Sequence, residues 1–124
     1  EMCIRDSLKL LASLKGIADE KRIVETIERV GLDPGLKKNV SKYSLGMRQR
    51  LGIAQAIMEN PLFLILDEPF NGLDKHGVAQ IRNLIKELRA EGKTIILASH
   101  NQADIDELCD TVCEMDDGYM EEIK

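Results

Sequence analysis

Leu62-Phe63-Leu64-Ile65-Leu66-Asp67-Glu68-Pro69 is a continuous apolar run that ends in two acids and a proline. The run does not alternate, so it predicts a strand buried on both faces of a parallel sheet. Carboxylates just beyond the C-terminal end of such a strand lie where open α/β sheets bind ligands. Upstream, Tyr43-Ser44-Leu45-Gly46-Met47-Arg48-Gln49-Arg50-Leu51 reads as a glycine-containing turn that opens a helix. A turn of this kind, followed by a strand that delivers two carboxylates, points to machinery for nucleotide phosphates. A phosphate-binding loop of the form G-x-x-x-x-G-K-[ST] is expected ahead of both. No stretch of the 124 residues matches it, so the chain reads as the back half of an ATPase whose front half is absent.

Outward from this centre, helical and strand patterns alternate. Leu8, Leu11, Leu14 and Ile17/Ala18 recur at helical spacing, Gly16 lies near the expected stop, and a second helix begins at Asp19. Its apolar face is Ile23, Val24, Ile27 and Val30, with Gly31 at the position after the helix end and Leu32 as the hydrophobic residue that comes next. Asp33-Pro34-Gly35 is a turn. Ser44 is the N-cap candidate for a helix from Leu45 to Met58 that turns Leu51, Ala54, Ile57 and Met58 inward and stops before Asn60-Pro61. Beyond the acid pair, a turn-rich link from Pro69 to Gly77 leads to a helix over Val78–Ala90, with Ile81, Leu84, Ile85 and Leu88 on one face. A second buried strand, Thr94 to Ser99, ends at His100. A short helix around Gln102–Leu108 comes next, then a strand over Thr111–Met115, a turn at Asp116-Asp117-Gly118 and a last strand at Tyr119–Ile123. Strands alternating with helices predict an α/β fold with a mostly parallel sheet and a small helical subdomain.

Composition narrows the function classes. At 44% hydrophobic and 31% charged, the chain is ordinary for a globular protein, and it has no low-complexity tract. A net charge of −5, with Lys37-Lys38 and Arg48/Arg50 too sparse for a basic patch, argues against nucleic-acid binding. No apolar run approaches the roughly 20 residues of a membrane helix, and the N-terminus has no signal-peptide pattern. A cytosolic chain is expected, with any membrane role reached through a partner. Of the three cysteines, Cys109 and Cys113 are spaced C-x-x-x-C without a second pair to complete a zinc site, and they are expected to be small buried hydrophobes. Met2-Cys3-Ile4-Arg5-Asp6-Ser7 resembles a translated sequencing adapter, with a genuine helix start as the competing reading; on the adapter reading residues 1–7 are set apart from the fold and Cys3 carries no expected role.

Three groups of residues can carry chemistry. Asp67 and Glu68 can divide the labour, the first holding Mg²⁺ through water and the second polarising a water that attacks a phosphate. The bland alternative is a solvated acid pair. The Ser44-Leu45-Gly46-Met47 turn can present helix N–H groups to a phosphate, with a serine hydroxyl beside them, or it can be an ordinary cap. His100, at a strand end, can hydrogen-bond a phosphate oxygen or orient an acid, or be merely solvated. His76 lies in a polar turn and carries only the solvated reading.

Taken in order and spacing, these segments resemble the ATP-binding cassette (ABC) ATPase family, from residue 8 to the end. Tyr43–Arg50 is similar to the family's signature motif, usually L-S-G-G-Q. Leu62–Glu68 resembles Walker B, Asn71-Gly72-Leu73-Asp74 the D-loop, and Ala98-Ser99-His100 the switch-histidine loop. The details are most similar to bacterial drug, bacteriocin or lantibiotic exporters. The resemblance implies a partial P-loop NTPase fold without its P-loop strand. Residues 8–60 would form the helical subdomain with the signature helix, and 61–124 the C-terminal part of the ATPase core.

It further implies ATP and Mg²⁺ as cofactors, with Ser44, Leu45, Gly46 and Met47 facing ATP held by an opposite subunit. Asp67 would serve the metal, Glu68 would be the general base, His100 the γ-phosphate switch, and Asp74 a coupler between two sites. Leu45 and Met47 depart from the usual Gly and Gln, and Asn71 from the commoner Ser. The implied partners are a second nucleotide-binding subunit in a head-to-tail dimer and a transmembrane permease, which would place the protein on the inner face of the cell membrane. The adenine-stacking aromatic, the P-loop and the Q-loop lie upstream in this family, so the 124-residue chain is expected to be inactive alone. A soluble, non-transport ABC ATPase and a catalytically silent ABC-like module are the competing readings. The first would be expected to carry coiled coils, zinc insertions or basic linkers, and the second to have lost the acids and the histidine.

Overall fold

The computed structural model describes residues 20–35, 42–116 and 118–123. The helix expected over residues 8–18, the segment 1–7 and Lys37-Lys38 lie outside the described residues.

Helix α1, Glu20–Arg29, buries Ile23, Thr26 and Ile27. Its end is set by Gly31, at φ 84°. Leu32 N–H donates to the Ile27 carbonyl at 3.1 Å and Gly31 N–H to that of Glu28 at 2.9 Å. These paired bonds are the Schellman closure that a Gly-Leu pair predicts. Helix α2, Leu45–Ile57, starts where the Ser44 hydroxyl accepts from Met47 N–H at 3.2 Å. It turns Leu51, Ile53, Ala54 and Ile57 into the core, with Met58 just beyond.

Strand β1, Phe63–Asp67, pairs in parallel with β2, Thr94–Ala98, so that Asp67 stands opposite Ala98. Between them runs α3, Lys75–Ala90, with Ile81, Leu84, Ile85 and Leu88 buried. It begins three residues before the expected Val78 because the Asp74 carboxylate accepts from Gly77 N–H at 2.7 Å and fixes the cap. Its end repeats the closure of α1. Gly92 has φ 89°, Gly92 N–H donates to Arg89 O, and Lys93 N–H donates to Leu88 O. Lys93 Nζ then reaches back to Asn60 Oδ1 at 2.6 Å and Pro61 O at 2.9 Å, joining the entries of β1 and β2.

Helix α4, Gln102–Leu108, is capped by Asn101 and buries Asp104 and Leu108. Strands β3, Cys113–Asp116, and β4, Tyr119–Glu122, form a separate antiparallel hairpin. Among the described residues the strands thus form one parallel pair, as the alternating pattern predicts, and one antiparallel pair.

Two expectations fail. The run over Leu62–Leu66 predicts a strand covered on both faces, yet only Leu64 and Leu66 of β1 are buried. Phe63, Ile65 and Ile96 are 53%, 66% and 50% exposed, so one face of the parallel pair lies open. Apolar side chains on both sides of a strand imply two covering layers, and these residues supply one. The cysteines also differ from expectation, Cys113 being exposed and Cys109 half-buried. Among the described residues no helix is long and apolar enough to cross a membrane.

Candidate functional site

The site forms where β1 and β2 end side by side. Because the strands run parallel, the segments beyond Asp67 and Ala98 emerge together. Glu68 N–H donates to Ala98 O at 2.8 Å, extending the ladder one step beyond β1. The chain then turns sharply, with Glu68 in the left-handed region at φ 47°. For a non-glycine residue this costs about 1–2 kcal/mol, so neighbouring contacts must hold it. They converge on its carbonyl, which accepts from Asn71 N–H at 3.1 Å and from the Gln49 side-chain amide.

The turn sends the Glu68 carboxylate toward the end of β2. Its Oε1 lies 3.4 Å from His100 Nε2. The histidine is 99% exposed and the glutamate 35%, so the pair faces solvent and a ligand can reach it. Asp67 is exposed at the strand end beside them. His100 is held through its neighbours, since Asn101 N–H donates to Ser99 Oγ at 3.1 Å and Asn101 caps α4.

The turn that opens α2 approaches from the other side. A Cβ on Gly46 would lie 2.9 Å from the Gly72 carbonyl, and one on Gly72 would lie 2.6 Å from Leu45 Cγ. The Leu45-Gly46 turn and the Asn71–Asp74 loop are therefore in direct contact. Asn60 and Glu68 are the only non-glycine residues at positive φ among those described, so Leu45 enters the helix without a left-handed backbone. Ser44 is exposed, and its hydroxyl both caps the helix and faces outward near the first-turn N–H groups. Met47 instead packs against the core. Asp74 caps α3, and His76 is exposed.

Glu68 and His100 are thus in contact, Asp67 adjoins them, and Gln49 ties the α2 turn to the same place. Sequence reasoning gave Gln49 no role. The signal was available: Gln49 falls on the stripe Leu45, Gln49, Ile53, whose last member is 4% exposed. A polar residue on a stripe leading into the core needs a partner.

The donor set fits Mg²⁺. Among the described residues no group of three or more His, Cys, Asp or Glu could cage a metal. A carboxylate such as Asp67, completed by water and substrate phosphate, is how Mg²⁺ is usually held.

The family model described as ABC transporter matches residues 2–71. The chain belongs to the ABC transporter family. ABC membership implies a P-loop NTPase fold, and β1, α3 and β2 form a parallel unit consistent with it. The chain is 47% identical over 115 residues to an uncharacterized ABC transporter ATP-binding protein, YybJ, of Bacillus subtilis (strain 168), covering 93% of this chain and 53% of that protein. It is 43% identical to the bacitracin transport ATP-binding protein BcrA of Enterococcus faecalis, covering 94% of this chain and 38% of that protein. The lantibiotic transport ATP-binding protein SrtF of Streptococcus pyogenes is 39% identical, with 86% and 46% covered. The chain spans about half or less of the length of these relatives.

Proposed function

We propose that this chain carries the signature turn, acid pair and switch histidine of the ATP-hydrolysing subunit of a bacterial ABC exporter. The observation that carries the reading is the 3.4 Å approach of Glu68 Oε1 to His100 Nε2, with Asp67 adjoining, at the ends of two parallel strands. Relatives named for bacitracin and lantibiotic transport support the exporter assignment.

In this reading Glu68 takes the proton of the attacking water. His100 donates a hydrogen bond to the γ-phosphate and keeps the Glu68 carboxylate turned toward that water. Asp67 would hold Mg²⁺ through its water shell, and the ion, when bound, offsets phosphate charge. Ser44 and Gly46 meet the γ-phosphate of ATP held by a second nucleotide-binding subunit, through the hydroxyl and the helix N–H groups. Leu45 covers that contact by packing on Gly72. Met47, seated against the core, supports the turn and does not reach the nucleotide. Asp74 fixes the loop between the two sites by capping α3. The lysine loop that cradles the β- and γ-phosphates would come from residues outside these 124, and a permease would set the exported substrate.

The full-length protein is expected to hydrolyse ATP, and Glu68→Gln to lower turnover about 10²-fold or more while ATP binding persists. The 124-residue chain alone is expected to hydrolyse none. A phosphate-release assay on the three preparations decides. Unchanged turnover in the Glu68→Gln protein, or hydrolysis by the isolated chain, would remove the reading.

A further inference from the structure

We propose that Gln49 is a positioning residue for Glu68. The inference rests on the reading of Glu68 as the general base and adds the device that aims it. Glu68 is held at φ 47°, a conformation that a glutamate does not adopt without support. Its N–H is fixed to Ala98 O at 2.8 Å, and its carbonyl accepts from Asn71 N–H at 3.1 Å. The second donor to that carbonyl is the Gln49 side-chain amide, from α2, nineteen residues earlier. A carbonyl has two lone pairs, and the two bonds fill both.

Asn71 belongs to the same turn and moves with it. Gln49 is different, because it joins the turn to the helix whose N-terminal turn, at Ser44 and Gly46, meets the nucleotide in the reading above. It is also half-buried, which limits competition from water for its amide. Rotation of the Glu68 backbone out of the left-handed region would swing the carboxylate away from His100, and the Gln49 amide opposes that rotation. A shift of α2 as nucleotide binds at its N-terminus is then passed directly to the base. The Gln49 amide is spent on the Glu68 carbonyl, so its effect falls on turnover and not on ATP affinity.

Gln49→Glu tests this, since a carboxylate of nearly the same shape cannot donate. Gln55→Glu, on an exposed site of the same helix, is the control for added charge. In the full-length protein Gln49→Glu is expected to lower kcat about tenfold or more. KM for ATP should stay within about twofold and the thermal midpoint near that of the control. Unchanged kcat in an active protein would overturn the proposal.

A second measurement stands apart from ATPase activity. In the 124-residue chain, NMR should find the Gln49 side-chain amide protons exchanging about tenfold more slowly than those of Gln55. The φ-dependent coupling of Glu68 should report a left-handed backbone. If the full-length protein hydrolyses no ATP, the ATPase reading fails, and these signals still decide the link between Gln49 and Glu68. Fast exchange at Gln49, or an extended Glu68, would overturn it.

Discussion

Gly72 illustrates how one residue can answer two demands. Its φ of 78° favours glycine, and the space where a Cβ would stand is taken by Leu45. The left-handed backbone alone makes Gly72→Ala unfavourable by about 1–2 kcal/mol. The overlap with Leu45 adds about 1 kcal/mol, at the low end for overpacking, because Leu45 is 59% exposed and can turn aside. Pairing Gly72→Ala with Leu45→Ala should therefore recover the overlap share and leave the backbone share. Urea unfolding of the single and double variants measures both. Full recovery in the double variant would mean that the backbone conformation contributes nothing.

At the scale of elements, α3 and α4 are joined by a ladder of charges. Arg82 pairs with Asp104, through Nε at 2.7 Å and also through Nη2, and with Glu107 at 3.1 Å. Lys86 pairs with Glu107 at 2.6 Å, and Arg89 with Asp110. The Lys86 hydrogen bond holds the Glu107 carboxyl below its usual range, against a smaller opposing effect of burial. The rungs are unequal. Asp104 is 2% exposed, whereas Asp110 is 70% exposed. Arg82→Met leaves a buried carboxylate without its partner, at a cost of about 3 kcal/mol, the low end for broken buried pairs because Arg82 itself is partly exposed. Arg89→Met should cost under about 1 kcal/mol. Denaturant midpoints for the two variants compare the rungs, and equal losses would contradict this ranking.

Helix limits at this scale were largely legible in the sequence. Gly31-Leu32 predicts the end of α1, and Ser44 the start of α2, because caps depend on residues within one turn. The pairing of Asp104 was not legible. Its charge in a short polar helix reads as solvated, and only the packing of α3 beside α4 buries it. For Gln49 the need for a partner was legible but the partner was not, since it lies across the fold on a turn that sequence spacing does not place.

For the whole molecule, the β1–β2 pair has one packed face and one open face. Leu64 and Leu66 lie within the core, while Phe63, Ile65 and Ile96 meet water. Apolar patches of this kind drive association. The 124-residue chain is expected to self-associate with rising concentration, and Ile65→Thr with Ile96→Thr to reduce this. Threonine keeps the β-branched shape, and surface changes usually alter stability by no more than about 0.5 kcal/mol. Sedimentation velocity over a concentration series tests it, and a monomeric parent chain would contradict the expectation. The apolar pattern announced two covered faces, and the sequence signals could place a cover on only one, since periodicity records what a strand requires and not which segment supplies it.

The unequal rungs between α3 and α4 have a consequence for His100, which sits two residues ahead of the helix they fasten. Concentrated salt weakens the outer attachments and spares the sheltered one near the helix start. The histidine loop is thus moored at its own end, so fraying of the far end can proceed without disturbing the imidazole.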